Sequence, residues 1–295
     1  MKKLRQTAAV ILTILVIALF IWYIHSHPSL LDSLKKVSVL TIISILFLYG
    51  LSLITIILIL YYSVLWCGKT MTVKQNVLLT AYSTLVNFFG PLQSGPGFRA
   101  IYLKAKNGVN LRNFIKISLV YYAFLSWYSG MFLFIGAHKW LLSLVVFFGG
   151  ILFVVIVYFT KFKKFRSLIN ADPKNMIKIG VVTLIQVIIL TTIYFVELKS
   201  FNHGVRFSQA MSYTGAANFS LFVSLTPGAI GFREAFVLFT QHLSRLNSTT
   251  IIAASVLDRA IYFIYLGLIF VFTLSVHAKN FLGIRRLTNR EVETK

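Results

Sequence analysis

The sequence predicts an all-α polytopic membrane protein. We expect six full transmembrane helices plus two re-entrant broken-helix hairpins, about eight membrane segments arranged as an inverted repeat. Three observations carry this expectation. Of 295 residues, 58% are apolar or aromatic and only 12% are charged, about half the charge of an ordinary soluble domain, and mean hydropathy is +0.82. Six apolar stretches reach the roughly 20 residues that a helix needs to cross hydrocarbon about 30 Å thick. Two further apolar regions are broken by glycine and proline at matching places. Composition excludes a soluble enzyme, a secreted disulfide scaffold and a disordered chain. The single Cys67 can form no internal disulfide.

The first apolar stretch, 7–24, follows Lys2, Lys3 and Arg5. It ends in His25-Ser26-His27-Pro28 with no small-residue cleavage site, so a retained signal anchor is expected. The second is 37–66. The region 77–103 comes next and is interrupted by Gly90-Pro91-Leu92-Gln93-Ser94-Gly95-Pro96-Gly97. Spans 117–137, 140–160 and 179–196 follow. The region 207–243 is interrupted by Thr226-Pro227-Gly228-Ala229-Ile230-Gly231, and 250–276 is the last span. Proline and glycine cannot continue a helix cheaply, so each broken region should be two short helices joined by an irregular elbow. Locally, a returning hairpin and a kinked span fit equally well.

The basic residues choose between them. The chain carries 29 Lys and Arg against 7 Asp and Glu, net +22. With both broken regions re-entrant and the N-terminus cytoplasmic, 20 of the 29 fall on the cytoplasmic side. Six face outward (Lys35, Lys36, Lys139, Lys199, Arg206, Arg245) and three sit at membrane depth (Arg99, Arg233, Arg259). Reading 77–103 as a single span would put the cluster from Lys161 to Lys178 outside, against the positive-inside rule. The expectation is therefore a multi-pass protein of the cytoplasmic (inner) membrane with both termini cytoplasmic. It forms a single domain over 1–295, with halves at about 37–160 and 177–277 and a short basic tail at 278–295. The excess charge points to an anionic membrane face or an anionic lipid and needs no nucleic acid.

The two broken regions resemble each other. Asn87-Phe88 is followed, after seven residues, by Pro96-Gly97; Asn218-Phe219 is followed, after the same gap, by Pro227-Gly228. Each then reads Gly-Phe-Arg, at Gly97-Phe98-Arg99 and Gly231-Phe232-Arg233. Paired broken helices in oppositely oriented halves point to a transporter's binding site, although two packing kinks would leave the same pattern. A new helix begins after each elbow, and its first N–H groups together with its dipole make an anion seat. Arg99 and Arg233 fall at that turn, where a guanidinium offers a fork suited to phosphate oxygens; snorkelling or pairing with a carboxylate is the other use of such a residue. Ser94 adds a neutral donor, and Gly97, Gly228 and Gly231 admit close approach of an anionic headgroup. Asn87, Pro91, Pro96, Asn218 and Pro227 shape the elbows.

Acidic residues are scarce, so their placement matters. Glu197 ends a span at the interface. Glu234 follows Arg233, and Asp258-Arg259 interrupts the last span. Glu234, Asp258 and Arg259 form either a gating or coupling network or an internal ion-pair network; one set of residues can serve both uses. The six histidines lie at span or hairpin ends or in loops. Neither metal-ligand spacing nor a catalytic or nucleotide-binding signature is present, so no metal, cofactor or catalytic residue is expected.

The run Thr226-Pro227-Gly228-Ala229-Ile230-Gly231-Phe232-Arg233-Glu234-Ala235 resembles the Pro-Gly-x-x-Gly-x-Arg-Glu-Ala signature of the transmembrane region of lysylphosphatidylglycerol synthase, the flippase-like domain family. Gly97-Phe98-Arg99-Ala100-Ile101-Tyr102-Leu103 is similar to that family's second landmark, though Leu92-Gln93-Ser94 is not its commonest wording. The resemblance spans nearly the whole chain. It implies a membrane module that moves an anionic phospholipid or polyprenyl-linked headgroup. In the full-length synthase, aminoacyl transfer resides in a soluble domain after the membrane region. Here 19 residues follow Val276, so the expectation is a module without that chemistry. Relatives are often linked with envelope glycosyltransferases. Two alternatives follow: a non-catalytic partner of such a glycosyltransferase or of another lipid-modifying enzyme, and a membrane enzyme that processes polyprenyl phosphate. The second would have only Ser94 and Glu234 to act as nucleophile or base.

Overall fold

The computed structural model describes residues 25–26, 32, 35, 37–89, 94–159, 173–223, 232–239 and 241–293. Side chains are described for these except at 153–159, 221–223, 232–234, 239 and 277–293. Every regular element among the described residues is helical. In chain order they are α1 (Val39–Trp66), α2 (Val73–Phe89), α3 (Gly95–Asn107), α4 (Leu111–Gly136), α5 (Trp140–Phe159), α6 (Pro173–Phe201), α7 (Phe207–Val223), α8 (Phe232–Phe239), α9 (Gln241–Ser244) and α10 (Ser248–Glu293).

Four of these are long and apolar enough to cross a membrane: α1, α4, α6 and the Ser248–Val276 part of α10. They correspond to four of the six expected spans. A fifth expected span, 140–160, is the helix α5, whose Trp140–Leu152 portion is apolar. The sixth, 7–24, lies outside the described residues. Helix ends depart from the apolar boundaries because caps rather than hydropathy set them. Asn110 accepts the backbone N–H groups of Arg112 and Asn113 and so starts α4 six residues before the apolar run. Pro173 opens α6, a position where its missing N–H costs nothing. The residues expected as a basic tail after 276 continue α10 to Glu293; no proline interrupts them.

α6 sits at the centre, packed against α1, α4, α7 and α10. Its inward face buries Ile179, Val187, Ile193 and Leu198 together with Thr183 and Thr191, whose hydroxyls donate to carbonyls one turn back. The outward faces of α1 and α5 carry Leu40, Phe47, Leu141, Val145 and Phe148, apolar and exposed, as lipid contact requires. Lipid is as apolar as leucine, so helices here are held by close packing and hydrogen bonds instead of hydrophobic collapse. The α4–α7 contact shows both. A side chain at Gly215 would stand 2.5 Å from the Ser129 carbonyl oxygen. Ser212 donates to the Leu133 carbonyl at 2.9 Å, and the Asn218 amide donates to Ser129 Oγ at 3.0 Å.

In both broken regions the described ends are tied together. α2 and α3 run antiparallel: Ser94 Oγ donates to the Val86 carbonyl near the tip, and Gln75 Nε2 donates to Asn107 Oδ1 at 2.8 Å at the base. In the second region, Gln209, in the first turn of α7, donates to the carbonyls of Ser244 and Arg245 just past α9, both at 3.1 Å. In each case the chain leaves and returns at the same place.

Candidate functional site

The first elbow is built from its two helix ends. Residues 90–93, Pro91 among them, lie outside the described residues. Asn87 Oδ1 accepts the Gly95 N–H at 3.3 Å, so the side chain that ends α2 caps α3. Only glycine fits at Gly95, where a Cβ would meet the Ser83 carbonyl oxygen at 2.7 Å and Asn87 at 2.9 Å. Pro96 has no N–H, and the Phe98 N–H already bonds to the Ser94 carbonyl. Of the first turn's amides, Gly97 alone remains to meet a ligand among the described residues. The helix end is thus a narrow anion seat, and the Ser94 hydroxyl, expected as a donor to ligand, spends its proton on Val86.

What the elbow does present is Arg99. Its Nε donates to Ser83 Oγ at 2.6 Å, which fixes the guanidinium plane. The other four N–H groups of an arginine then remain. They face a cavity lined by Ser63 of α1, Pro96 of α3 and Ser118, Tyr121 and Tyr122 of α4, floored by Ile59, Leu60 and Phe114. The Tyr121 hydroxyl is held in turn by Gln186 of α6 at 3.2 Å. Among the described residues no carboxylate lies within ion-pair distance of Arg99. A partly buried cation with no carboxylate partner among the described residues is costly. The cavity encloses about 30 Å³, room for a water molecule rather than a headgroup.

Asp258 and Arg259 form a separate place in the fold. Asp258 is buried and accepts a hydrogen bond from the Tyr49 hydroxyl of α1. Tyr49 stacks on Tyr265 and meets Tyr262 edge-on, both at 5.2 Å between ring centres. Phe88, at the tip of the first hairpin, touches Tyr262 and Phe263, so the elbow reaches the Asp258 cluster through aromatic rings. Arg99 is not part of that cluster. α1 carries Tyr49 at one level and Leu60 at the other, eleven residues apart, about 16 Å along a helix.

The sequence-derived residues therefore sort by place. Asn87, Ser94, Pro96, Gly97 and Arg99 meet at the first hairpin, and Asn218 binds Ser129 across the α4–α7 contact. Pro227, Gly228 and Gly231 lie outside the described residues, as do the side chains of Arg233 and Glu234. The backbone of both opens α8, which packs on α7 and α10. Glu197, near the end of α6, is fully buried. Sequence reasoning missed Ser83, Tyr121, Tyr122 and Gln186. The only signal was polarity inside apolar runs, a Tyr-Tyr pair and a mid-span glutamine, which resemble many others in the chain.

Against known families, the model of the lysylphosphatidylglycerol synthase TM region matches residues 10–269, nearly the whole length. No curated protein and no solved structure matches the chain.

Proposed function

On the premise that the chain belongs to the lysylphosphatidylglycerol synthase transmembrane-region family, we propose that it is a lipid translocase of the cytoplasmic membrane. It moves an anionic phospholipid or a polyprenyl-linked headgroup between leaflets without chemistry of its own. Its topology is six spans and two re-entrant hairpins in opposite orientations, with both termini cytoplasmic. The tied feet at Gln75–Asn107 and at Gln209 with Ser244 and Arg245 support the hairpin reading over a kinked span.

The observation that carries the proposal is Arg99: a fixed guanidinium, without a carboxylate among the described residues, facing a small, mostly apolar cavity. A phosphate would supply the missing charge, taking two parallel N–H bonds from the guanidinium. Arg233 is its counterpart at the second elbow, on the other half of the repeat. Gly97, Gly228 and Gly231 let the headgroup approach each helix start. Glu234, Asp258 and Arg259 couple elbow movement to the bundle, Asp258 through Tyr49 and the aromatic contact with Phe88. Because the Arg99 cavity holds only water-sized contents as it stands, headgroup entry requires α3 and α4 to part.

The test is reconstitution in vesicles carrying a fluorescent anionic phospholipid, or a polyprenyl phosphate, with transfer followed by a membrane-impermeant quencher. The protein should accelerate transfer. Arg99→Gln should slow it about 10- to 100-fold, the loss of one or two charge-assisted bonds. Arg99→Lys should recover little, since an ammonium cannot hold Ser83 and present a fork together. Full activity in Arg99→Gln, or failure to accelerate any of these lipids, removes the proposal. Co-purification with a glycosyltransferase and indifference to elbow substitutions would support the accessory-partner reading instead.

A further inference from the structure

A second cavity lies at the opposite end of α4. It measures about 330 Å³ and is lined mostly by polar groups, within the size range of small-molecule sites, roughly 300–1,000 Å³. Arg206, Arg245, His138, Ser208 and Gln209 contribute to its wall, and no carboxylate does among the described residues. The two arginines come from distant parts of the chain, one before α7 and one after α9. A single side chain assembles them. Gln209 accepts the Arg206 N–H on Oε1 at 3.0 Å while its Nε2 donates to the Arg245 and Ser244 carbonyls. With both faces of this amide occupied, the backbones bearing the two guanidinium groups are held side by side. Arg206 and Arg245 are both exposed and border the same open space, so an anion there would meet two positive charges.

We propose that this cavity binds a phosphate-bearing group, with Arg206 and Arg245 as the charge clamp and His138 and Ser208 as neutral partners. The ligand chemistry is a phosphate monoester or diester, presented either by a lipid headgroup or by a small soluble phosphate. Along α4, Gly136 at this cavity stands eighteen residues from Ser118 at the Arg99 cavity, about 27 Å. That is close to the roughly 30 Å thickness of the hydrocarbon layer. The binding claim stands alone. The role of this cavity as the far-side station of a translocation path rests on the transport reading above.

Trp140 supplies a local reporter, because its ring lies edge-on to His138 at 6.1 Å. Full-length protein in uncharged detergent is titrated with dihexanoyl phosphatidylglycerol below its micellar concentration, with sodium phosphate, and with dihexanoyl glycerol as the phosphate-free control. Trp140→Phe identifies the signal. The phosphatidylglycerol should saturate a fluorescence change in the wild type and in Arg99→Gln. It should bind at least roughly tenfold more weakly in Arg206→Gln/Arg245→Gln, which loses two charged donors. Ser208→Glu, which places a carboxylate in the cavity and leaves both arginines in place, should weaken binding to a similar degree. Equal competition by sodium phosphate assigns the site to small phosphates, and its absence assigns it to lipid; either result upholds the clamp. An equal response to dihexanoyl glycerol, or wild-type binding in both variants at an unchanged melting temperature, overturns it. Arg99→Gln that loses transport but keeps this titration leaves the site standing. Transport unaffected by Arg206→Gln/Arg245→Gln removes only the far-side role.

Discussion

Gly95 and Gly97 stand two residues apart in the first turn of α3, and one added methyl group should affect them with opposite sign. At Gly95 a Cβ would lie 2.7 Å from the Ser83 carbonyl oxygen and 2.9 Å from Asn87 Cβ and Oδ1. Ordinary contact begins near 3.4 Å, so α3 must retreat from α2 by roughly 0.7 Å. Overpacking of that kind costs about 1–3 kcal/mol. The retreat also lengthens the Asn87 cap and pulls Arg99 from Ser83, because Ser83 lies on the surface that Gly95 abuts. At Gly97 nothing lies within 4 Å of the same atom. There alanine gains helix propensity, up to about 1 kcal/mol. Gly95→Ala should therefore fall about 1–3 kcal/mol below the wild type and Gly97→Ala should match or exceed it, in reversible unfolding by SDS titrated into neutral-detergent micelles. Lipid transfer should drop in Gly95→Ala with the Arg99–Ser83 bond. In Gly97→Ala, transfer at intact stability reports whether a headgroup approaches that helix start. Equal stability in the two variants, or a stable Gly95→Ala, would refute the described fit of α3 against α2.

Other outcomes test other contacts. A double-mutant cycle between Ser129→Ala and Asn218→Ala should give a coupling near 0.6 kcal/mol and below about 1.7 kcal/mol, the range for hydrogen bonds between membrane helices; zero coupling would remove that bond from the account. Tyr49→Phe takes one donor from the buried Asp258 carboxyl and should lower stability by about 1–3 kcal/mol in the same SDS titration, with wild-type stability arguing against the contact. Cys67 caps the end of α1, and burial pushes its thiol up to about 11. A raised thiol value means that the neutral form dominates below it. Maleimide labelling in detergent should therefore be slow at pH 8 and rise about tenfold per unit toward pH 11, since the thiolate is the nucleophile. A plateau near pH 8 to 9 would contradict it.

The sequence carried those parts of the fold that depend on apolar length and on backbone punctuation. Val39–Trp66 could be located because twenty-eight nearly uninterrupted apolar residues have no other stable home, and the first elbow because Gly-Pro runs cannot propagate a helix. Arg99 was legible because a cation in an apolar run is costly. Its surroundings were not. Ser83 lies 16 residues before Arg99 and Tyr121 and Tyr122 more than 20 after it, and residue types so common acquire meaning only when α2, α3 and α4 meet. Glu197 is a different case: hydropathy placed it near the end of a span, and its burial there depends on neighbouring helices that the sequence does not reveal. Gln209 is the clearest case. A glutamine in the first turn of a helix looks like an ordinary polar residue, and only the returning chain at Ser244 and Arg245 gives it a task.

The bond between Gln75 and Asn107 turns the first hairpin into a lever. With its feet joined at 2.8 Å and its tip tied by Ser94 to Val86 and by Asn87 to Gly95, sliding of α2 past α3 would break these bonds, so a displacement of the pair favours rotation about the base. The 17 residues of α2 make an arm about 25 Å long at 1.5 Å per residue. A tilt of about 10° at the foot then carries the tip about 4 Å. The elbow, with Asn87 and Phe88 at its end, makes the longest travel. Arg99, partway along the arm, moves by less, toward or away from the tyrosines of α4.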